Sequence, residues 1–527
     1  MRKWLCKRLF PESIRRKLSD WAIHAACCLP KTQRGPIASL QGFGPMPGRA
    51  SVNLTACPEG IGLELLEVIY ADLVFVEDFD RLASGLERLL EAFGSWMARR
   101  QAKDTSEWFR DARMHAGGFS WRNAGFLDLE VPKYAGEGPR SVRACTIQLF
   151  HLAPSAMVVC VSAQPTGGFQ QRLRHLIAAG ARSRMVIDGF SLRHGVTSAH
   201  SVFAQQVRRE ELDSLLGEMR DEIAGLLWRY VGSGVGILRP MPSIGVFAFE
   251  EDLNPETCQE TRPSVGTPEE RGFWLSMDMV PSDPFQYRKD HLRLYPETGL
   301  RWRGHGRWRA LVDKRAFLSD VETTGYPDEN TALVHKLSYP LNHLAMLVAL
   351  EDHVWTVTDQ LSMLRRDLAP YLAGGHGPRH RVGRLGKALE RIMRVTNTQF
   401  LLSRIVAEVD LSTLQDVCSS EGLNGFARGS HEPRESADLL SDVLSHLKSG
   451  HDFADSQLGL MRRSYDALVN YESMRINHKI QARLLYLSWV LFVLTGLLTW
   501  LTWVLVPQET KTALHAWFQS ALRAMRR

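Results

Sequence analysis

The stretch that decides the fold is Leu484 to Val506, which reads LLYLSWVLFVLTGLLTWLTWVLV and carries no charged residue. At ~1.5 Å rise per helical residue, this segment is long enough to cross the ~30 Å hydrocarbon core of a bilayer. A single span must be helical, because each unpaired backbone group in lipid costs several kcal/mol. The sequence therefore predicts one transmembrane helix near the C-terminus, and the alternative is a buried helix of a large soluble core.

The length and amino-acid composition of the chain are those of ordinary globular proteins. A length of 527 residues favours two or three structural units, with 44% hydrophobic and 23% charged residues. A net charge of +6 is small for this size and does not by itself imply a nucleic-acid partner. The eight cysteines are scattered and contain no CxxC pair, which favours idle thiols in a reducing compartment over a disulfide framework.

Composition shifts divide the chain into five segments. Residues 1–50 form a basic N-terminal arm and linker, whose apolar run is too short for a cleaved signal peptide. This arm is expected either to lie on anionic lipid or to be a partly ordered extension. It is followed by an α+β soluble domain at 51–330, a helical region with a stalk helix at 331–483, the transmembrane helix at 484–506 and an amphipathic basic tail at 507–527.

Within the soluble domain, strand and helix patterns follow one another without regular alternation, which favours an α+β fold over a doubly wound sheet. The segments 168–179 and 203–230 have the apolar spacing of helices. The predicted strands are 66–76, 126–131, 144–151, 156–163, 244–249, 273–279, 291–295 and 308–312.

A heptad seam precedes the apolar segment. Its apolar residues follow alternating steps of four and three, which suits knobs-into-holes packing. The partner is either a neighbouring helix of the same chain or another copy, and a helix of ~70 residues running into the bilayer favours a homo-oligomer. The seam consists of Leu440, Leu444, Leu447, Leu458, Met461, Tyr465 and Leu468, with His451 and Ala454 between them.

The C-terminal part resembles the CorA-type divalent-cation transporters. The stretch 351–370, which contains Leu364-Arg365-Arg366 and Leu368-Ala369-Pro370, is similar to a helical stretch of that family. The stretch Asn470 to Leu498, with Asn477 and Lys479 before the apolar run, resembles its stalk and first membrane helix. The resemblance implies an oligomeric magnesium or cobalt transporter or channel. The family's Gly-Met-Asn signature and second membrane helix are absent, so no pore residue is carried over.

The tail after the span has one apolar face, formed by Leu514, Trp517, Phe518, Ala521, Leu522 and Met525. Together with Lys511, Arg523, Arg526 and Arg527, this composition is typical of a helix in the membrane interface. Basic residues flank the span about equally, so the positive-inside comparison does not fix the orientation. A large N-terminal part without a signal peptide is expected to stay cytoplasmic.

The most suggestive soluble motif is RWRGHGRWR at 301–309. In an extended chain its odd positions share one face, which places four arginines opposite two tryptophans. Such a face is a candidate anion-binding site for a nucleotide, nucleic acid or lipid head group. The alternative is a hairpin with a solvated basic face and core tryptophans. The candidate residues are Arg301, Arg303, Arg307, Arg309, Trp302 and Trp308.

Three functional hypotheses follow from these patterns. The leading one is a non-enzymatic, single-pass, C-terminally anchored protein, an oligomeric sensor or scaffold, since the sequence carries no recognised catalytic motif. The alternatives are a divergent CorA-like cation transporter and a membrane-tethered nucleotide or nucleic-acid binding protein. The sequence identifies no cofactor, and a divalent cation belongs only to the transporter hypothesis. Besides the bilayer, a second copy of the chain is the expected partner.

Overall fold

The computed structural model separates into two compact units, residues 1–362 with 393–455 and residues 363–392 with 456–527. The proposed N-terminal arm at 1–50 lies outside the residues that the structure describes. The described residues are 57, 62–94, 119–130, 139–181, 184–191, 195–232, 241–249, 285–287, 292–296, 307–319, 326, 328–372, 390, 408, 411–420 and 439–526, with 104–111, 273–279 and 423–428 in part.

The first unit is built on a nine-stranded sheet with the order β11-β8-β9-β10-β7-β1-β4-β3-β2, and β5 pairs with β6 in a separate hairpin. Neighbouring strands of the large sheet are antiparallel except for the parallel pair β7 and β10. The strands are β1 Leu63–Phe75, β2 Ser120–Asp128, β3 Val142–Ala153, β4 Ala156–Pro165, β5 Arg184–Ser191, β6 Gly195–Val202, β7 Ser243–Phe249, β8 Phe285–Tyr287, β9 Leu292–Pro296, β10 Arg307–Asp313 and β11 Phe426–Arg428.

Helices lie between the strands of the first unit and dominate the C-terminal part of the chain. Together, the sheet and the helices confirm a mixed sheet domain, a helical region and one apolar helix near the C-terminus. The helices are α1 Phe79–Phe93, α2 Gly167–Ala178, α3 Ala204–Val231, α4 Lys314–Ser319, α5 Glu329–Leu372, α6 Leu411–Ser420, α7 Leu439–Leu505 and α8 Gln508–Met525.

One face of the sheet is covered by α1, α2 and α3. Their apolar stripes, with Leu86 in α1 and Met219 in α3, join the strands in one continuous core, as their helical spacing predicts. Helices α1 and α3 approach closely at Gly85, where an added Cβ would lie 2.4 Å from Val231 Cα. Gly232 then ends α3 with a φ of 86°, a conformation that glycine adopts without strain.

The opposite face of the sheet contacts α5. The Asn342 carbonyl accepts a hydrogen bond from the Cys160 thiol of β4, and its side chain accepts one from Ser162. Further along α5, the ring of His343 lies 4.9 Å from that of Phe150, and the ring of His353 lies 5.5 Å from that of Phe75. The sheet is therefore a middle layer between two layers of helices.

Two local predictions differ from the structure. The segment 273–279 was expected to be a strand because its apolar residues alternate, yet its described residues form a helical turn in which Met277 N donates to Phe273 O. Asp278 ends this turn with a φ of 64°. The hairpin formed by β5 and β6 has no counterpart among the predicted strands.

Candidate functional site

The apolar end of α7 is the most distinctive surface of the second unit. Ile476–Leu505 of α7 is the stretch of helix, among the described residues, that is long and apolar enough to cross a membrane. Its most apolar 18 residues have a mean hydropathy of 2.0, and none of them is buried. Trp489 and Phe492 are more than 70% exposed in the chain. A continuous apolar surface of this length is stable only where another apolar medium or a partner covers it.

The polar groups inside this segment are satisfied within the helix. The hydroxyls of Thr495, Thr499 and Thr502 each donate to the carbonyl four residues earlier, at 2.6 to 2.7 Å. A satisfied hydroxyl is cheaper to transfer into lipid than one that loses its hydrogen bond with water. The threonines are therefore compatible with a membrane-spanning helix.

Pro507 lies between α7 and α8 and is the N-cap residue of α8. Lys511 at the start of α8 donates to the Val504 carbonyl at 3.4 Å, and its ammonium lies 6.0 Å from the ring centroid of Trp503. A cation at the C-terminal end of a helix interacts favourably with the unpaired carbonyls there. Lys511 therefore ties the first turn of α8 to the end of the apolar helix.

Helix α8 exposes the apolar side chains that its sequence places on one face, including Trp517 and Phe518. Arg523 and Arg526 are exposed as well. Apolar and basic residues on one short helix are typical of a helix that lies in the headgroup region of anionic lipid. The structure thus leaves both α8 and the end of α7 available to a bilayer.

The predicted oligomer seam is divided by the structure. Leu440, Leu444, Leu447, Leu458 and Met461 are buried within the chain itself, as the intrachain alternative requires. In the first unit this packing is close, since an added Cβ on Gly450 would lie 2.6 Å from Val354 Cγ1 of α5. The side chains of Tyr465 and Leu468 lie outside those that the structure describes. Self-association through this seam stays a prediction.

The arginine motif is described only in its second half, because residues 301–306 lie outside the described residues. Arg307 and Arg309 share one face of β10, and both bind Asp213 of α3. The Arg307 Nη1 to Asp213 Oδ2 and Arg309 Nη2 to Asp213 Oδ1 distances are 2.6 Å. Trp308 is buried, with its ring 6.1 Å from that of Phe285. Asp213 thus partly neutralises this end of the candidate anion site, which remains a prediction.

A second polar site was not anticipated from the sequence. Glu67 of β1 is fully buried, and neither carboxyl oxygen makes a hydrogen bond of normal geometry within the described part of the chain. Burial raises the pKa of Glu67 to about 8, and the adjacent Ser162 hydroxyl lowers it only in part. At neutral pH this carboxyl is therefore mostly protonated.

Two buried thiols of the same sheet, Cys145 of β3 and Cys160 of β4, provide a probe of this domain. Burial raises the pKa of Cys145 to about 12 and raises that of Cys160 as well. Because the thiolate is the reactive form, both cysteines are inert while the sheet is intact. Their labelling rates therefore report opening of the sheet.

Among the described side chains, no group of three His, Cys, Asp or Glu residues is arranged to hold a metal ion. The chain matches no protein family, and no curated protein or solved structure is significantly similar to it.

Proposed function

We propose that this protein is a single-pass membrane protein, anchored by the apolar end of α7, with the bulk of the chain in the cytoplasm. It acts as an oligomeric sensor or scaffold and not as an enzyme. The observation that carries the proposal is the exposure of residues 476–505, which include the whole apolar run from Leu484 and of which none is buried by the rest of the chain. A bilayer is the medium that covers such a surface along its whole length.

The continuity of α7 supports the sensor or scaffold role. Its N-terminal turns pack inside the first unit, where Leu440 is fully buried, and the same helix continues without interruption to Leu505. A continuous helix transmits a displacement or rotation along its axis better than a flexible linker does. Helix α8 adds a second, interfacial contact with lipid through Trp517 and Phe518.

Charge placed at the middle of the apolar segment is expected to abolish membrane integration. Each arginine at this depth costs about 3 kcal/mol in insertion. The variant Phe492→Arg/Gly496→Arg changes two exposed positions where the chain makes no contact that a longer side chain would disturb. We expect it to leave the membrane pellet on carbonate extraction, whereas the wild-type chain stays there.

The matched control places the same charges on exposed apolar residues of the first unit, Phe203→Arg/Trp228→Arg. This variant is expected to remain in the membrane fraction. In intact cells, externally added protease is expected to spare the first unit of the wild-type chain. Retention of the Phe492/Gly496 variant in the pellet would contradict the anchor.

The second candidate is a divergent CorA-like divalent-cation transporter or channel. The unbroken passage of α7 from a folded unit into an apolar segment favours it, because the sequence resemblance covers that part of the chain. Under the leading proposal, liposomes containing the purified chain take up no more Mg²⁺ or Co²⁺ than empty liposomes. Uptake that exceeds the empty control and disappears in the Phe492→Arg/Gly496→Arg variant would replace the leading proposal by this one.

The third candidate, a membrane-tethered nucleotide or nucleic-acid binder, depends on the arginine motif. Asp213 already neutralises part of the positive charge of Arg307 and Arg309 through two short ion pairs. A phosphate ligand would have to compete with this carboxylate or use the other half of the motif. For this reason we rank the candidate third.

A further inference from the structure

The apolar end of α7 contains a strict leucine repeat. Successive leucines are separated by alternating steps of three and four, which places them along one side of a helix in a heptad pattern. All of them are exposed in the chain, from 41% to 78%. The repeat consists of Leu484, Leu487, Leu491, Leu494, Leu498, Leu501 and Leu505.

Lipid alone does not require this repeat. The hydrocarbon core solvates leucine, valine and phenylalanine about equally on every side of a helix, so contact with lipid imposes no period of 3.5 residues. The opposite side of α7 accordingly carries varied residues, such as Leu485, Phe492 and Val493. A period restricted to leucine on one side indicates knobs-into-holes packing against another helix.

The same register continues out of the apolar segment toward the N-terminus. The a positions before Leu484 are Asn477 and Asn470, and the d positions are Ile480 and Ser473. In this part of α7, Val469, Met474 and Ile476 are exposed, and they occupy the e and g positions beside the seam. An apolar stripe on the polar part of a helix indicates a partner that is not lipid.

The charged residues of this part avoid the seam. Lys479 is exposed at a c position, away from the seam. Arg483 occupies a g position, which in a parallel pair faces the e position five residues later in the partner, here Ser488. No like charges therefore meet across a parallel pair in this register.

We propose that the side of α7 from Asn470 to Leu505, the leucine seam, binds the same surface of a second copy of this chain in a parallel pair. The pattern is self-complementary, and a common membrane holds two copies in the same orientation. Asn477 then meets Asn477 of the other copy, because an asparagine at an a position selects a partner with asparagine at the same level and fixes the register. The inference rests on the proposed membrane anchor and replaces the predicted seam at Leu440 to Leu468 as the surface of self-association.

The size of the seam bears on how tightly the copies associate. At ~1.5 Å per residue the seam is about 54 Å long, and a contact strip of roughly one helix width gives on the order of 500 Å² per copy. The pair then buries about 1,000 Å², at the lower limit for specific interfaces. The association is therefore reversible and depends on the density of the protein in the membrane.

Single-molecule photobleaching of the labelled full chain in liposomes tests the pair. Wild type is expected to show two bleaching steps at high protein density and one after dilution with lipid. The variant Leu487→Ala/Leu494→Ala/Leu501→Ala removes three d residues, and we expect at least a tenfold higher density for half-association. The matched control Leu485→Ala/Phe492→Ala/Val493→Ala changes the opposite side and is expected to behave as wild type. Equal weakening by both variants would overturn the leucine seam.

Cysteine cross-linking in the same liposomes tests the register. Asn477→Cys is expected to form a dimer band under mild oxidation, and Lys479→Cys, in the same background of native cysteines, is not. Equal bands, or a band only for Lys479→Cys, would overturn the parallel register. Carbonate extraction of the same samples separates the two proposals. A chain that leaves the membrane contradicts the anchor, whereas an integrated chain that bleaches in one step at every density contradicts only the pair.

Discussion

Replacement of Glu67 by glutamine is expected to raise the free energy of unfolding of the first unit at pH 8 by roughly 2–4 kcal/mol. The wild-type carboxyl is fully buried, and its oxygens make no hydrogen bond of normal geometry with the described residues. Near pH 8 it must therefore either keep its proton or ionise in an apolar environment. Glutamine has a similar shape, and although its amide is also costly to bury, it carries no charge at any pH.

The direction of the pKa shift of Glu67 determines how the stability difference between the two proteins changes with pH. Burial raises the pKa of Glu67 from 4.5 to about 8, so the folded chain binds this proton more tightly than the unfolded chain does. The associated stabilisation is fully present below pH 4.5 and is lost as the pH rises through 8. We expect the difference between wild type and Glu67→Gln to be small at pH 5 and largest above pH 8.

Denaturant unfolding of the full chain in detergent, followed by labelling of Cys145 and Cys160, measures this difference. Comparing the two proteins at the same pH cancels the intrinsic pH dependence of the thiol reaction. Glu87→Gln is the control, since Glu87 is an exposed carboxyl on α1. If the difference in unfolding free energy between wild type and Glu67→Gln is the same from pH 5 to pH 9, the assignment of a protonated Glu67 is contradicted.

Elements with a long, regular pattern were predictable from the sequence. The apolar segment of α7 needs only its length and composition, and α3 needs only the spacing of Leu212, Met219 and Ile223. Prediction from periodicity failed where residues typical of turns lie inside a strand. The hairpin of β5 and β6 carries Asp188 and Gly189 at a register shift, so its sequence resembles a connector.

The face of the sheet on which Glu67 lies could not be predicted from the sequence, because β1 contains a similar irregularity. In a regular strand, alternation would place Glu67 on the same face as Leu65. A bulge between Leu65 and Glu67 shifts the register by one residue, so Val68 and Tyr70 join Leu65 in the core under α1 to α3. Glu67 thereby turns toward the other face of the sheet, next to Ser162. Only the pairing with β7 reveals this shift.

Contacts between residues that are distant in sequence could not be predicted from sequence patterns either. Arg309 and Asp213 are 96 positions apart, and no local period connects them. In β10, Arg307 and Arg309 share one face, because alternate residues of a strand point to the same side. The arginine motif did not indicate that an acidic residue of α3 lies against that face. A charge motif predicts which side chains point together, and the tertiary fold decides what they meet.

Removal of the Asp213 carboxylate is expected to destabilise the first unit by roughly 3–5 kcal/mol. The side chain of Arg309 is only 3% exposed, and its Nη2 lies 2.6 Å from Asp213 Oδ1. Asp213→Ala leaves this guanidinium buried without its counter-charge. The large cost comes from leaving a buried charge without its partner. Replacing both members of a buried ion pair by apolar residues is, by contrast, often close to neutral in stability. We therefore expect Asp213→Leu/Arg309→Leu to recover part of the loss that Asp213→Ala causes.

Burial and not distance decides the size of this effect, and the chain offers a matched control. Arg172 and Glu218 form an ion pair at 2.7 Å, but both side chains are about half exposed. Water screens such a pair, so Glu218→Ala is expected to cost less than about 1 kcal/mol. Denaturant unfolding of the three variants and wild type, followed by Cys145 and Cys160 labelling, gives all the differences in free energy. If Asp213→Ala costs no more than Glu218→Ala, Asp213 does not compensate a buried Arg309 charge, and the expected destabilisation is wrong.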